Sequence, residues 1–403
     1  MQTIIKVEHP ERISALKQDF QMTFGTVPQR FFSAPGRTEI CGNHTDHQRG
    51  CVLAAAVNLD ALAAVAENGT ELLRVQSEGY PMYTVELGAL EVQPEEENTT
   101  PALIRGVAAK FRGLGCSLRG LDIYVTSQVL PGSGLSSSAA FEVLIGTILN
   151  GMFYDGKVAP VEIAQIAQYA ENVYFGKPSG LMDQMASSVG NLVEIDFQDA
   201  AHPVVTPLDF DFSATGYALC IIDSQASHAD LTDEYAAIPV EMKAIAAHFG
   251  KEVLSEVPEQ EFYGAIPLLR QKCGDRAVLR AFHFYQENRR VPQACEALRR
   301  GDFDGFLSVI RQSGASSYMY LQNVSPAGAV EKQEMAVTLA LCEHYLDGAG
   351  AYRVHGGGFA GTCQAFVPME RLEAFREGID GVLGKGACHV LSIRQPGGVE
   401  VVE

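Results

Sequence analysis

A strand handed over to a helix through glycine and serine constrains this chain more than any other feature. Residues 121–130, LDIYVTSQVL, alternate apolar and polar positions; Pro131-Gly132-Ser133-Gly134 interrupts them, and an apolar-periodic stretch begins at Ala139. The pattern predicts a strand, a glycine-rich loop and a helix whose stripe of Phe141, Leu144, Ile145, Ile148, Leu149 and Met152 packs into a core. Such a loop suits an anion, because glycines admit close backbone approach and the free N–H groups of a helix N-terminus carry a favourable dipole. Ser136, Ser137 and Ser138 add hydroxyls that can donate to phosphate oxygens or ligate Mg²⁺, a hard cation. The Gly-Lys-Ser/Thr ending of a P-loop is absent. Taken alone, the motif is also compatible with a flexible turn bearing a serine N-cap.

Elsewhere the pattern is mixed. Helices are expected at 161–173, 231–249 and 329–345, and strands at 191–197, 217–222 and 351–355. Strands and helices without strict alternation indicate an α+β fold. A length of 403 residues exceeds one ordinary domain. The stretch 202–212, with two prolines and no helical period, places a linker near 200–215, giving domains at 1–205 and 206–403.

Charge excludes two classes of partner. With 30 Lys and Arg against 49 Asp and Glu, the net charge of −19 opposes the positive field that nucleic acid or an anionic membrane surface requires. Any anionic ligand must therefore be held locally. Nine Cys without a CxxC pair fit a reduced intracellular protein. The first ten residues lack a basic region followed by an apolar stretch, and the apolar run 51–66 is interrupted by Asn58 and Asp60. No secretory signal and no membrane span are expected, which makes a cytoplasmic enzyme the reading.

Three further segments can carry chemistry. Residues 34–50, APGRTEICGNHTDHQRG, crowd polar and ionisable groups between glycines, as hydrogen bonding to a polyhydroxylated ligand would require. His44, Asp46 and His47 could instead form a metal cluster, although a second ligand motif is not evident, and an ordinary hydrophilic loop is also open. Gly356-Gly357-Gly358-Phe359-Ala360-Gly361 carries an entropic cost that close backbone approach would justify; by itself it could be a strand-edge turn. Pro178-Ser179-Gly180-Leu181-Met182-Asp183-Gln184 offers one carboxylate after a turn, where an Asp is commonly an N-cap.

In this order the four segments resemble the GHMP kinase superfamily and, within it, the galactokinase family. Residues 35–50 resemble the signature Gly-Arg-x-Asn-Leu-Ile-Gly-Glu-His-Thr-Asp-Tyr, 131–140 the phosphate loop, and 356–361 the third, glycine-rich motif. Residues 178–184 are similar to a stretch ending Gly-Ile-Met-Asp-Gln, and His228 with Glu234-Tyr235 to a His…Glu-Tyr spacing. The resemblance implies two α+β domains, the second ferredoxin-like, with the active site in the cleft between them. It implies an ATP- and Mg²⁺-dependent kinase acting on a monosaccharide, galactose above all. The other readings are a kinase for another sugar, a kinase for a non-sugar alcohol, and a sugar sensor without turnover.

Carried over by position, the resemblance makes Asp183 the catalytic carboxylate with Arg37 beside it, and Ser138 and Glu171 the Mg²⁺ ligands. It assigns Asn43, His44, Asp46, Gly180 and Tyr235 to the sugar, and Gly132, Ser133, Gly134, Leu135, Ser136, Ser137 and Ser138 to the triphosphate. Asn43 and His47 depart from the signature's Glu and Tyr, Ser227 stands where an Arg often precedes the motif His, Ala360 replaces a Gly, and the chain has no Trp.

Overall fold

In the computed structural model, which describes residues 4–6, 10–129, 134–177, 179–199, 201–227 and 231–402, the chain builds two sheets. Strands β1 (Ile4–Lys6), β2 (Arg30–Cys41), β3 (Cys51–Glu67), β4 (Leu72–Ser77), β5 (Met82–Glu86), β6 (Leu121–Ser127), β7 (Leu192–Asp196) and β8 (Val204–Leu208) belong to the first. Helices α1 (Pro10–Phe24), α2 (Thr100–Gly113), α3 (Ser137–Phe153), α4 (Pro160–Tyr169) and α5 (Met182–Val189) cover it. The second half supplies β9 (Tyr217–Asp223), α6 (Thr232–His248), α7 (Glu259–Cys273), α8 (Asp275–Arg299), α9 (Phe303–Ser316), α10 (Glu334–Leu346), β10 (Ala351–Val354), β11 (Thr362–Pro368), α11 (Leu372–Leu383), β12 (Cys388–Leu391) and β13 (Val399–Val402).

Strand β3 organises the first sheet. It pairs with β2 along one edge, while its other edge pairs with β7 at 51–55 and with β6 at 61–67. The chain leaves β6 where β3 changes partner, and the glycine-serine loop begins there. Five alanines of β3 are fully buried; helices lie on both faces of the sheet, and small side chains admit their close approach.

The second sheet runs β10-β11-β9-β12, all antiparallel. With α11 between β11 and β12 and the helices α6–α10 between β9 and β10, this is the ferredoxin-like order. Alternation along β9 fixes its two faces. Ala218, Cys220 and Ile222 pack against α10 and α11, whereas Leu219 and Ile221 join one core with Leu53 and Ala55 of β3 and with α8 and α9. The halves are thus welded through a shared apolar core.

Two features depart from the expected division at 205/206. Residues 204–208, read as linker, form β8 paired with β7, and β13 returns to the first sheet between β1 and β2. The expected helix at 161–173 ends at Tyr169 and continues as a π-helical turn, Ala170–Phe175. Helices α7, α8 and α9 have no counterpart among the expected elements. In α8 the buried face carries Arg280, His283, Glu287 and Arg290, so its inner stripe does not read as apolar. All nine cysteines are free thiols, and among the described residues no helix is long and apolar enough to cross a membrane.

Candidate active site

Strand β2 delivers the first site residues. Bulges between Pro35 and Arg37 and between Glu39 and Cys41 break its pairing with β3, and bulges re-aim the side chains beside them. The Arg37 N–H donates to the Leu135 carbonyl at 3.0 Å, fastening the strand to the serine loop. The guanidinium reaches Asp183 in the first turn of α5, with Nε 2.6 Å from Oδ1 and Nη2 2.9 Å from Oδ2, while Nη1 donates to the Gly134 carbonyl at 2.6 Å. Ser136 precedes α3 in the left-handed region, φ 57°, and its hydroxyl donates to Asp183 Oδ2. A non-glycine residue held there costs energy and is characteristic of functional loops. Burial by itself would raise the Asp183 pKa; the guanidinium and the serine hydroxyl override it and hold the carboxyl below its usual value.

Two hollows meet at this pair. The larger, of about 540 Å³, lies between Ser136–Ser138 and Gly356–Gly358. The smaller, of about 200 Å³, is lined by the carboxylates of Asp46, Glu171 and Asp183. Ser136, Ser138 and Lys177 line both. Together they form a cleft between the two sheets, where the resemblance leads the active site to be expected. Two glycines are required by space. At Gly134 (φ +72°) a Cβ would lie 2.4 Å from Thr362 Oγ1, and at Gly180 it would lie 2.5 Å from Asp46 Oδ2.

Glu171 comes from the π-helical turn, a distortion frequent at functional sites. Its Oε1 accepts from Lys177 Nζ at 3.0 Å, and its Oε2 from Ser179 Oγ at 2.7 Å and Gln184 Nε2 at 2.8 Å. Glu171, a buried carboxylate, and the Ser138 hydroxyl line the same hollow and offer oxygen donors of the kind a hard cation takes. Burial opposes the Lys177 charge, but Glu171 and then Asp183 raise its pKa and keep it protonated. Lys177 went unnoticed in the sequence. Only its place in the loop before Asp183 hinted at a role.

The other expected residues divide. Tyr235 lines the larger hollow, its hydroxyl donating to the Gly358 carbonyl at 2.8 Å and its ring edge-on to Phe359; burial pushes its pKa up to about 12. His44 Nε2 donates to the Gly357 carbonyl at 3.1 Å, and its Nδ1 lies 3.3 Å from His47 Nε2. Burial, then the neighbouring His44, holds the His47 pKa well below its usual value. Among the described residues no group of three His, Cys, Asp or Glu is placed to hold a metal, so the cluster of His44, Asp46 and His47 is not of that kind. Gly132, Ser133, Pro178 and His228 lie outside the described residues.

Asn43 lies deeper than His44 and Asp46. Expected against the sugar, it is fully buried, with its amide engaged by Glu39, Gly356, Ser317 and Asn323. Four residues that the sequence did not single out hold its loop. Arg353, itself buried, places Nη2 2.6 Å from Glu39 Oε1, and its Nη1 donates to the Ile40 carbonyl at 2.9 Å. Glu287 accepts from the Gly42 N–H at 3.0 Å, and His283 Nε2 donates to the Asn43 carbonyl at 2.8 Å.

Comparison with known proteins identifies the family. Residues 18–67 match the model described as galactokinase galactose-binding signature, and residues 102–191 the GHMP kinases N terminal domain. The chain is 30% identical to a galactokinase of Streptomyces coelicolor over 364 residues, 90% of each chain. It is 31% identical to one from Glaesserella parasuis over 370 residues, covering 91% of this chain and 92% of the relative.

The chain belongs to the galactokinase family.

It is accordingly an ATP-dependent sugar kinase of the GHMP fold. A Lactococcus lactis galactokinase solved in complex with galactose superposes with a TM-score of 0.80 at 24% identity, covering 96% of this chain and 99% of that one. The mevalonate kinase of Methanococcus jannaschii gives a TM-score of 0.64 at 12% identity over 91% and 98%. The galactokinase signature puts Asn four residues before Glu; this kinase has Glu39 four residues before Asn43, and the exchanged side chains touch. That inversion was the signal that would have found Glu39.

Proposed function

We propose that this kinase transfers the γ-phosphoryl group of ATP to the anomeric hydroxyl of a monosaccharide, with galactose preferred, in a Mg²⁺-dependent reaction. The observation that carries the reading is the two-point Arg37–Asp183 pair at the junction of the two hollows. Phosphoryl transfer needs positioning and charge stabilisation more than covalent chemistry. Asp183, kept ionised, accepts the hydrogen bond of the attacking hydroxyl and aims its oxygen. Asp46 and His44 line the sugar end. The backbone of the 134–138 loop and the Gly356–Gly358 segment receive the triphosphate, with Lys177 supplying positive charge in an otherwise acidic chain. Glu171 and Ser138 would hold Mg²⁺, which supplies charge neutralisation between the phosphate oxygens.

A panel of monosaccharides offered with ATP, followed by ADP release and by phosphorus NMR to identify the phosphorylated carbon, tests this. Galactose phosphorylated at carbon 1 is the expected result. Binding of sugar and ATP without ADP release would favour the sensor, and turnover of another hexose above galactose would move the substrate assignment.

A further inference from the structure

We infer that Asn43 is a positioning residue that ties the sugar-facing loop to the glycine segment lining the phosphate hollow, and that the exchange of Glu and Asn between positions 39 and 43 builds this tie. The inference rests on the site reading above. The two amide protons of Asn43 point to the Gly356 carbonyl at 2.7 Å and the Glu39 carboxylate at 3.1 Å. Its Oδ1 accepts from Asn323 Nδ2 at 2.9 Å and Ser317 Oγ at 3.2 Å. All four positions of the amide are thereby used inside the protein, and none remains for a sugar hydroxyl. Both groups facing Nδ2 can only accept, so the amide has one possible orientation.

Chemistry explains why the two residue types trade places together. A Glu at 43 could not donate to the Gly356 carbonyl, and beside Glu39 it would bury a second carboxylate against the one guanidinium of Arg353. With the acid at 39 and the amide at 43, a single carboxylate takes Arg353 and the amide is free to donate across the cleft. The consequence falls on three consecutive carbonyls. Gly356 O is held by Asn43, Gly357 O by His44 and by Asn323 Nδ2 at 3.2 Å, and Gly358 O by the Tyr235 hydroxyl. Each is an acceptor that would repel phosphate if left unpaired beside it. Asn43 therefore acts on the nucleotide through Gly356, and sugar choice does not pass through it.

The near-isosteric Asn43→Asp removes both donors and sets a charge beside Glu39. Glu39→Gln combined with Asn43→Asp returns the pair to one carboxylate, yet still offers Gly356 no donor. In the full-length protein we expect Asn43→Asp to weaken ADP binding in calorimetry, and to raise KM for ATP, about tenfold, with the ranking of hexoses unchanged. The double variant should regain the melting temperature without regaining ADP affinity. Asn323→Ala, which leaves the Asn43 bond to Gly356 and removes one of the two donors to Gly357, should weaken ADP about threefold and tests the role of these carbonyls if Asn43→Asp does not fold. Unchanged ADP affinity in the folded variant, an altered hexose ranking at unchanged ADP affinity, or recovery of ADP affinity together with stability in the double variant would each overturn the tie alone. A wild-type protein that binds no ADP would instead refute the reading of the hollow on which the tie depends.

Discussion

Arg37 and Asp183, 146 positions apart, meet through two hydrogen bonds, and the same guanidinium holds the Gly134 carbonyl of the phosphate loop. One cation therefore sets both the charge of the carboxylate and its distance from the loop.

Replacing Asp183 with Asn should lower kcat by ~10²–10⁴ while leaving ADP affinity within about threefold, because it removes the group that faces the hydroxyl and spares the phosphate cradle. Steady-state rates with calorimetric ADP binding check this. Turnover within about tenfold of wild type would remove Asp183 from the role.

Replacing Arg37 with Gln should move the acid limb of the kcat/KM profile upward. In the native protein the Asp183 pKa is depressed, so the ionised form, and the stability it contributes, persists as pH falls to below the ordinary carboxylate value. Without the guanidinium, burial is opposed only by the Ser136 hydroxyl and Lys177, and the carboxylate protonates at higher pH. A limb unmoved in the variant would show that Arg37 does not set the charge.

Ser138→Ala and Glu171→Gln should each raise the Mg²⁺ concentration needed for half-maximal rate, about tenfold for the carboxylate and less for the hydroxyl. Lys177→Ala should do the opposite for magnesium, since it vacates Glu171 Oε1, while raising KM for ATP about three- to tenfold. Magnesium and ATP titrations shifting in the same direction in Lys177→Ala would contradict this division of labour.

Acid should weaken the support beneath the sugar loop. Burial lowers the His283 pKa to about 4, so between pH 6.5 and 4 the unfolded chain binds a proton that the folded one does not, and stability falls with pH across that window. The loss is roughly 3 kcal/mol for a fully buried imidazole. His283→Gln retains a donor toward the Asn43 carbonyl and removes the titration. Its melting temperature should therefore decline less than wild type between pH 6.5 and 4, and an equal decline would place the acid sensitivity elsewhere.

The sequence by itself determined the elements whose side chains repeat with a clear period, and the loops between them. The strand at Leu121–Ser127, the helix from Ser137 and the strand at Tyr217–Asp223 follow from local patterning, and the ordered glycine motifs pointed to the family before any contact was known. Local pattern could not reveal α8, because burial of Arg280, His283 and Glu287 depends on partners supplied by distant elements. Nor could it show that β13 closes against β1 and β2 of the first sheet, since backbone pairing leaves no periodic mark of its partner. Asn43 shows the same limit at one residue. Its type was legible as a departure from the signature, but whether an amide meets a sugar or a carbonyl is decided by what the fold brings against it, and here the fold brings Gly356 from 313 residues away.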